Sequence, residues 1–473
     1  MDPSTASSST GSHGNSAAPA SAAGANTALP LSAGGVGDVS GGGGGSIGGT
    51  GIGSVGTYSS SHKSSSDIFL SHLPQDERLA RVWGKNGTLP KVSTTEELRL
   101  ELRADLDGSC EENVLFSLCS WAWRGHVEQV LELLQFEEKP FEGEVFRVLR
   151  ASLLMRLGRQ KEATEIVELL QQSRVIAAKV LCAVVAIEWN ERSTAVDMLH
   201  KLLGQLKQLH CPDPSSPASS TTVLLDTFRK PLLPEAAQAW RQRIMALLVS
   251  CYSTSGNYVL ALDLCHSALD ELGEIEHASD TESLRNAHVP VLLQIGRLRL
   301  QMGDFEGARV VLEDLEGDEG LDWNDASAVQ VLRGLCDFAE GKMESAKDHF
   351  AKLLRQVTGP EAPSEDSANP YVPADMLSAV FAVQEPLAAT LANNLALCHL
   401  NMCDLDGAIQ ILEDCIRDNP VRNMHRTLVF NLCTLYDLAR SKEQSRQAKL
   451  DLQRLAHVLQ IGQRFDAQKD LRL

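Results

Sequence analysis

Residues 296–312 read GRLRLQMGDFEGARVVL. A small residue, Gly296, is followed seven positions later by a turn residue, Gly303, five later by Ala308, and four later by an apolar residue, Leu312. This spacing has a physical logic. The turn residue sits where a first helix ends in a left-handed cap, which glycine takes freely and asparagine tolerates best among the rest. The two small residues, one on each helix, let the helices of a pair approach closely. The apolar residue four beyond the alanine shares its face and fills the layer beneath.

Outward from this stretch the same template recurs in both directions. It appears as Ala151, Gly158, Ala163, Val167; as Ala183, Asn190, Ala195, Leu199; and as Val249, Gly256, Ala261, Cys265. Beyond it stand Gly334, Gly341, Ala346, Phe350 and then Ala396, Cys403, Ala408, Leu412. A weaker copy, Leu118, Gly125, Val130, Leu134, precedes them all. In the last full copy Cys403 replaces the turn glycine, so its cap is expected to be strained or differently shaped. Only that copy carries the ending Asp418-Asn419-Pro420, in which Pro420 closes the second helix.

The repeat alanines are separated by 32, 66, 47, 38 and 62 residues, and a tetratricopeptide unit takes about 34. Inserts rich in Pro, Ser and acid account for the excess: His210 to Thr222, Gly273 to Arg285, and Thr358 to Ala374. Inserts in a solenoid become loops on its edge. The expected fold is therefore all-α, a tetratricopeptide-like α-solenoid wound as a right-handed superhelix, preceded by a disordered N-terminal tail. The expected organisation is a Ser/Gly/Ala-rich tail over 1–65, a helical lead-in over 66–140 and first repeats over 141–210. An insert or linker over 211–235, tetratricopeptide repeats over 236–420 and capping helices with a basic excess over 421–473 complete it.

Composition excludes several classes of function. Aromatics make up only 5% of the 473 residues, which suits helices packed through Leu, Ala and Val. A net charge of −19 repels a phosphate backbone, so no nucleic-acid partner is expected. The charge is uneven, since residues 421–473 hold ten Lys/Arg against five Asp/Glu. That excess marks either a solvated final helix or a basic docking end for an acidic partner. Eleven scattered cysteines without a CxxC pair fit a reducing compartment. No basic start followed by an apolar core suggests a signal peptide. The longest apolar run, Val175 to Ile187, is too short for a bilayer and contains Lys179. The sequon at Asn86 therefore means little, and a cytosolic chain is expected.

Motifs that could carry chemistry fail on context. Gly51-Ile52-Gly53-Ser54-Val55-Gly56 spells GxGxxG, but no strand precedes it and no helix follows. GxxxxGK[ST], HExxH, GxSxG and DFG are absent. Cys398, His399 and Cys403 do not converge on one helix face, and core packing is the reading preferred over a metal. Asn393-Asn394 resembles the start of a carboxylate grip, yet matching positions carry Leu332, Gln294 and Leu247 rather than cations. An asparagine pair supporting helix packing fits better. No catalytic residue, cofactor or metal is expected.

A family resemblance covers about residues 100 to 473. Ala239-Trp240-Arg241-Gln242-Arg243, Gly256-Asn257-Tyr258-Val259-Leu260-Ala261, and Ile295-Gly296-Arg297-Leu298 with Gln301-Met302-Gly303-Asp304 carry its first part. Its strongest stretch runs from Ala392-Asn393-Asn394-Leu395-Ala396 through Asp418-Asn419-Pro420 into Leu428-Val429-Phe430-Asn431-Leu432. The ending Leu471-Arg472-Leu473 fits as well. Together these are similar to the repeat region of the trafficking protein particle (TRAPP) complex subunit twelve family. Cys403 and the long Pro/Ser inserts depart from the pattern. The resemblance implies a non-enzymatic scaffold in a vesicle tether that activates a Rab GTPase between endoplasmic reticulum and Golgi. It implies partnership with other TRAPP subunits, contact with the Rab GTPase only through the complex, and a cytoplasmic location peripheral to Golgi or ER–Golgi intermediate membranes. The rival reading is a tetratricopeptide co-chaperone or other peptide-binding adaptor.

Overall fold

The computed structural model describes residues 75–84, 87–91, 93–106, 111–136, 141, 143–210, 224–226, 229–276, 281–317, 323–359, 387–461 and 470–471. The expected tail over 1–65, the GxGxxG run, Asn86 and most of two inserts (211–223 and 360–386) lie outside the described residues.

Apolar runs broken by short polar turns produce helix after helix, and no strand forms among the described residues. Two lead-in helices, α1 (Gln75–Trp83) and α2 (Thr95–Leu106), come first. Helix–turn–helix pairs follow: α3 (Glu111–Trp123) with α4 (Val127–Phe136), α5 (Glu144–Arg156) with α6 (Gln160–Leu170), and α7 (Ile176–Glu188) with α8 (Arg192–His210). Next come α9 (Pro234–Thr254) with α10 (Tyr258–Glu276), α11 (Thr281–Met302) with α12 (Phe305–Glu316), and α13 (Trp323–Ala339) with α14 (Met343–Thr358). The series ends with α15 (Leu387–Asn401) and α16 (Leu405–Asp418), the single-turn α17 (Pro420–Asn423), then α18 (Arg426–Ala439) with α19 (Lys442–Val458).

Each helix packs chiefly on its sequence neighbours, the arrangement of an α-solenoid. First helices carry the greater burden of burial. Every residue from Ala389 to Cys398 of α15 is buried. The apolar run noted at Val175 to Ile187 becomes α7, apolar on most of its circumference because neighbours cover it on several sides. Among the described residues no helix is long and apolar enough to cross a membrane. Second helices are amphipathic instead: α12 buries Ala308, Val311, Leu312 and Leu315 and turns Glu313 and Asp314 to solvent.

One insert differs from its expected loop form. The stretch from Gly273 to Arg285 is mostly helical, because α10 continues to Glu276 and α11 begins at Thr281. Its acidic composition suits a solvated helix as well as a loop. In the region expected as a linker, Leu225 exchanges backbone hydrogen bonds with the α6–α7 connection. The Ile176 N–H donates to the Leu225 carbonyl at 3.0 Å, and the Leu225 N–H to the Arg174 carbonyl at 3.0 Å. Leu224 and Leu232 are buried in the adjoining core.

The two ends of the array touch. Helix α1 packs on α16 and α19. The turn between α3 and α4 meets α17, where Gly125 lies against the Val421 side chain. Gln129 of α4 donates to the Gln460 side chain at 2.6 Å. The solenoid therefore closes on itself.

Candidate interaction surfaces

Turns set the spacing of any surface on this array. The Gly158 N–H donates to the Met155 carbonyl and the Arg159 N–H to the Leu154 carbonyl, both at 2.9 Å. This double bond pattern is a Schellman cap. It recurs at Gly125, Asn190, Gly256, Gly303, Gly341 and Cys403. All of these residues have positive φ, from +62° at Cys403 to +100° at Gly125. Cys403 thus keeps the shared geometry without being glycine, at a backbone cost of about 1–2 kcal/mol. A further turn of the same kind, centred on Gln460, ends α19.

Directly after each turn, the second helix makes its first bond through the repeat alanine. Ala163, Ala195, Ala261, Ala308, Ala346 and Ala408 donate to the carbonyls of Arg159, Glu191, Asn257, Asp304, Lys342 and Asp404. Each of these alanines is fully buried. Small residues on first helices mark close approaches as well. A Cβ added to Gly296 would lie 2.8 Å from Leu332 Cδ2, and one on Gly334 would lie 2.5 Å from Phe350 Cε1. Pro420 is buried at the first position of α17, just beyond the end of α16, where the Asn419 side chain caps the new helix.

Three polar centres cross-link neighbouring helices. In the first, the Glu413 carboxylate of α16 accepts from Tyr436 Oη at 2.7 Å, Arg440 at 2.9 Å and Arg417 at 2.6 Å. Burial and the adjacent Glu413 push the Tyr436 hydroxyl well above the ordinary tyrosine range. In the second, Asn431 of α18 donates to Asn393 of α15 at 2.6 Å inside the core. Its neighbour Asn394 is buried and has no hydrogen-bond partner at either amide atom. Neither asparagine is presented outward to grip a carboxylate. In the third, Arg309 of α12 bridges Asp337 and Glu340 at the end of α13, at 2.9 and 2.7 Å. Burial alone would raise the Asp337 carboxyl, but hydrogen bonds from Arg309 and Ser345 outweigh it and hold it below its usual value.

Cys398 is buried and its thiol is pushed up to about 12 by burial, while His399 Nδ1 lies 2.7 Å from an Asp404 carboxylate oxygen. The side chains of Cys398 and His399 are engaged separately. The basic end is partly neutralised within the fold. Lys449 pairs with Asp437, Arg426 with Asp470, Arg440 with Glu413 and Arg454 with Asp451. Lys442 and Arg446 are exposed on α19.

On the α1 side, the closure contact has no counterpart among the residues singled out from sequence. Leu79 and Trp83 of α1 are each 2% exposed and join a cluster with Leu412, Ile416, Leu452 and Leu455. Arg78 pairs with Asp451 at 2.8 Å. Arg417 donates to the Val82 carbonyl at 2.8 Å, and its guanidinium lies 5.7 Å from the centroid of the Trp83 ring. A signal was present in the apolar spacing Leu79, Val82, Trp83, the i, i+3, i+4 pattern of a one-sided helix.

Over 217 residues the chain is 27% identical to trafficking protein particle complex subunit 12 of Homo sapiens, a match covering 45% of this chain and 24% of that one. The protein of the same name from Mus musculus is 26% identical over 219 residues, covering 46% and 23%. The match thus spans about a quarter of the length of these curated relatives. No protein-family model matches the chain. A crystal structure of the APC/C hetero-tetramer Cut9-Hcn1 aligns over 81% of this chain and 62% of that chain, with a TM-score of 0.35 and 13% identity.

Proposed function

We infer that this chain is a non-catalytic scaffold subunit of a TRAPP-type vesicle-tethering assembly. The observation that carries the reading is the similarity, over nearly half the chain, to trafficking protein particle complex subunit 12. The architecture suits the role. Stacked helical pairs present the polar faces of second helices at a spacing fixed by Gly158, Asn190, Gly256, Gly303, Gly341 and the alanines that follow. In this reading the repeats over 141–210 and 236–420 form the binding body, and 421–473 caps it. Other subunits of the assembly dock on the array, and a Rab GTPase is met only through the complex. Membranes of the Golgi or ER–Golgi intermediate are reached peripherally, by the same route.

The test is affinity purification of the tagged full chain from cells, followed by mass spectrometry of the chains recovered with it. Recovery of several TRAPP subunits in comparable amounts supports the reading. Recovery of chaperones through their C-terminal peptides, with no TRAPP subunit present, overturns it in favour of the co-chaperone alternative.

A further inference from the structure

The element that covers the far end of the array is not its next helix in sequence but α1, brought from the other end of the chain. Four observations bear on what this means. First, α1 has nine residues, too short to persist as a helix unless docked. Second, its docking is imperfectly satisfied: Arg78 Nε and Trp83 Nε1 are buried without a hydrogen-bond partner. Third, the charged groups of the receiving face keep other partners without it. Asp451 also accepts from Gln447 at 3.0 Å and pairs with Arg454 at 3.4 Å. Arg417 also pairs with Glu413 and Asp414, each at 2.6 Å. Fourth, α1 is joined to α2 through residues 84–94, so its local concentration at the face is high even when its own affinity is small.

We propose that the face formed by α16 and α19 is a docking site for an amphipathic helix of a partner protein, and that α1 is its intramolecular competitor. The occupant's chemistry is legible in α1 itself. A basic residue, Arg78, meets the Asp451 carboxylate. An aliphatic residue one position later, Leu79, and a tryptophan five positions later, Trp83, fill the apolar floor beneath Arg417. A longer partner helix carrying the same three groups gains the same contacts and keeps its helical form outside the site, so it displaces the strap. This inference stands on the geometry of the closure and not on which assembly the chain joins.

A labelled peptide of residues 75–84 is the probe, titrated against the full chain and followed by fluorescence anisotropy. In the unaltered chain the strap competes and the peptide binds weakly. In the Leu79→Asp, Trp83→Ala double variant the strap is released, and the peptide binds at least tenfold more tightly. Adding Asp451→Ala to that variant reduces binding at least threefold. Arg78→Ala, which removes only a partly exposed cation and leaves the fold intact, gives a smaller gain of about threefold. Equal peptide affinity in the unaltered chain and in both strap variants overturns the proposal. So does equal binding of a scrambled peptide.

Discussion

Replacing Gly334 by alanine tests the helix register directly, because the local and tertiary effects have opposite signs. Gly334 lies inside α13, where alanine is favoured over glycine by about 1 kcal/mol. A Cβ there would stand 2.5 Å from Phe350 Cε1, 2.7 Å from Cζ and 3.0 Å from Cδ1. Phe350 is 1% exposed and has little room to retreat. Overpacking of this kind costs about 1–3 kcal/mol, so a net loss of about 1 kcal/mol is expected for Gly334→Ala. The matched control is Gly204→Ala on the exposed side of α8, where an added Cβ meets nothing within 4 Å. That variant gains about 0.5–1 kcal/mol. The same chemical change should therefore move stability in opposite directions, with a gap of about 2 kcal/mol. Urea unfolding followed by far-ultraviolet circular dichroism reads the gap, with midpoints compared only where the slopes agree. If Gly334→Ala is stabilised as much as Gly204→Ala, the α13–α14 contact described above is wrong.

Cys403→Gly removes a left-handed non-glycine residue and should raise the thermal midpoint, by about 0.5–1 kcal/mol in stability after the added flexibility of the unfolded chain is counted. In the unaltered protein, Cys403 is the exposed one of the nine described cysteines. A thiol reagent at pH 8 should label it well before Cys119, Cys265, Cys398 and Cys415, whose thiols burial raises to about 12. Glu413→Leu leaves Arg417, Arg440 and Tyr436 without their shared acceptor and should cost about 3–5 kcal/mol, whereas Tyr436→Phe should cost about 1 kcal/mol; urea midpoints distinguish the two. Because Asp337 titrates below its usual value when folded, its contribution is complete above the ordinary aspartate range and is lost as pH falls through the folded value. Asp337→Asn should therefore be less stable at pH 7 and decline less steeply in acid; parallel pH profiles for the two chains would contradict this.

What could be read from sequence was what is local. A left-handed helix end is written into one residue, so Gly158, Gly256, Gly303 and Gly341 announce their turns unaided, and an alanine five residues on marks the second helix. Asn190 announces its turn more faintly. The segment from Gly273 to Arg285 was harder, because Gly273, Glu274 and Glu276 suit a solvated helix and an edge loop equally well. Charge counting left two readings of the last segment open, because it does not say where each charge sits. A sum of Lys and Arg does not know that the Lys449 side chain is 3% exposed and faces Asp437, or that Arg426 faces Asp470. The closure lay further out of reach. Arg78 and Asp451 are 373 residues apart, and Arg417 and Val82 are 335 apart, so neither pair leaves a periodic trace in one sequence.

Closure also changes how the array should behave mechanically. In an open solenoid each repeat contacts only its neighbours, so terminal pairs fray and curvature drifts as they do. Here α19 has a second neighbour in α1, and the α3–α4 turn has one in α17, which removes both ends as starting points for fraying. The distances between surfaces on distant repeats are then set by the whole ring and not by local stacking alone. Opening the contact at Trp83 should loosen α19 and the α3–α4 turn together, although more than 300 residues of chain separate them. A partner helix that takes the place of α1 would release that constraint while binding. Occupancy of one end would then be felt as a change in spacing along the whole array.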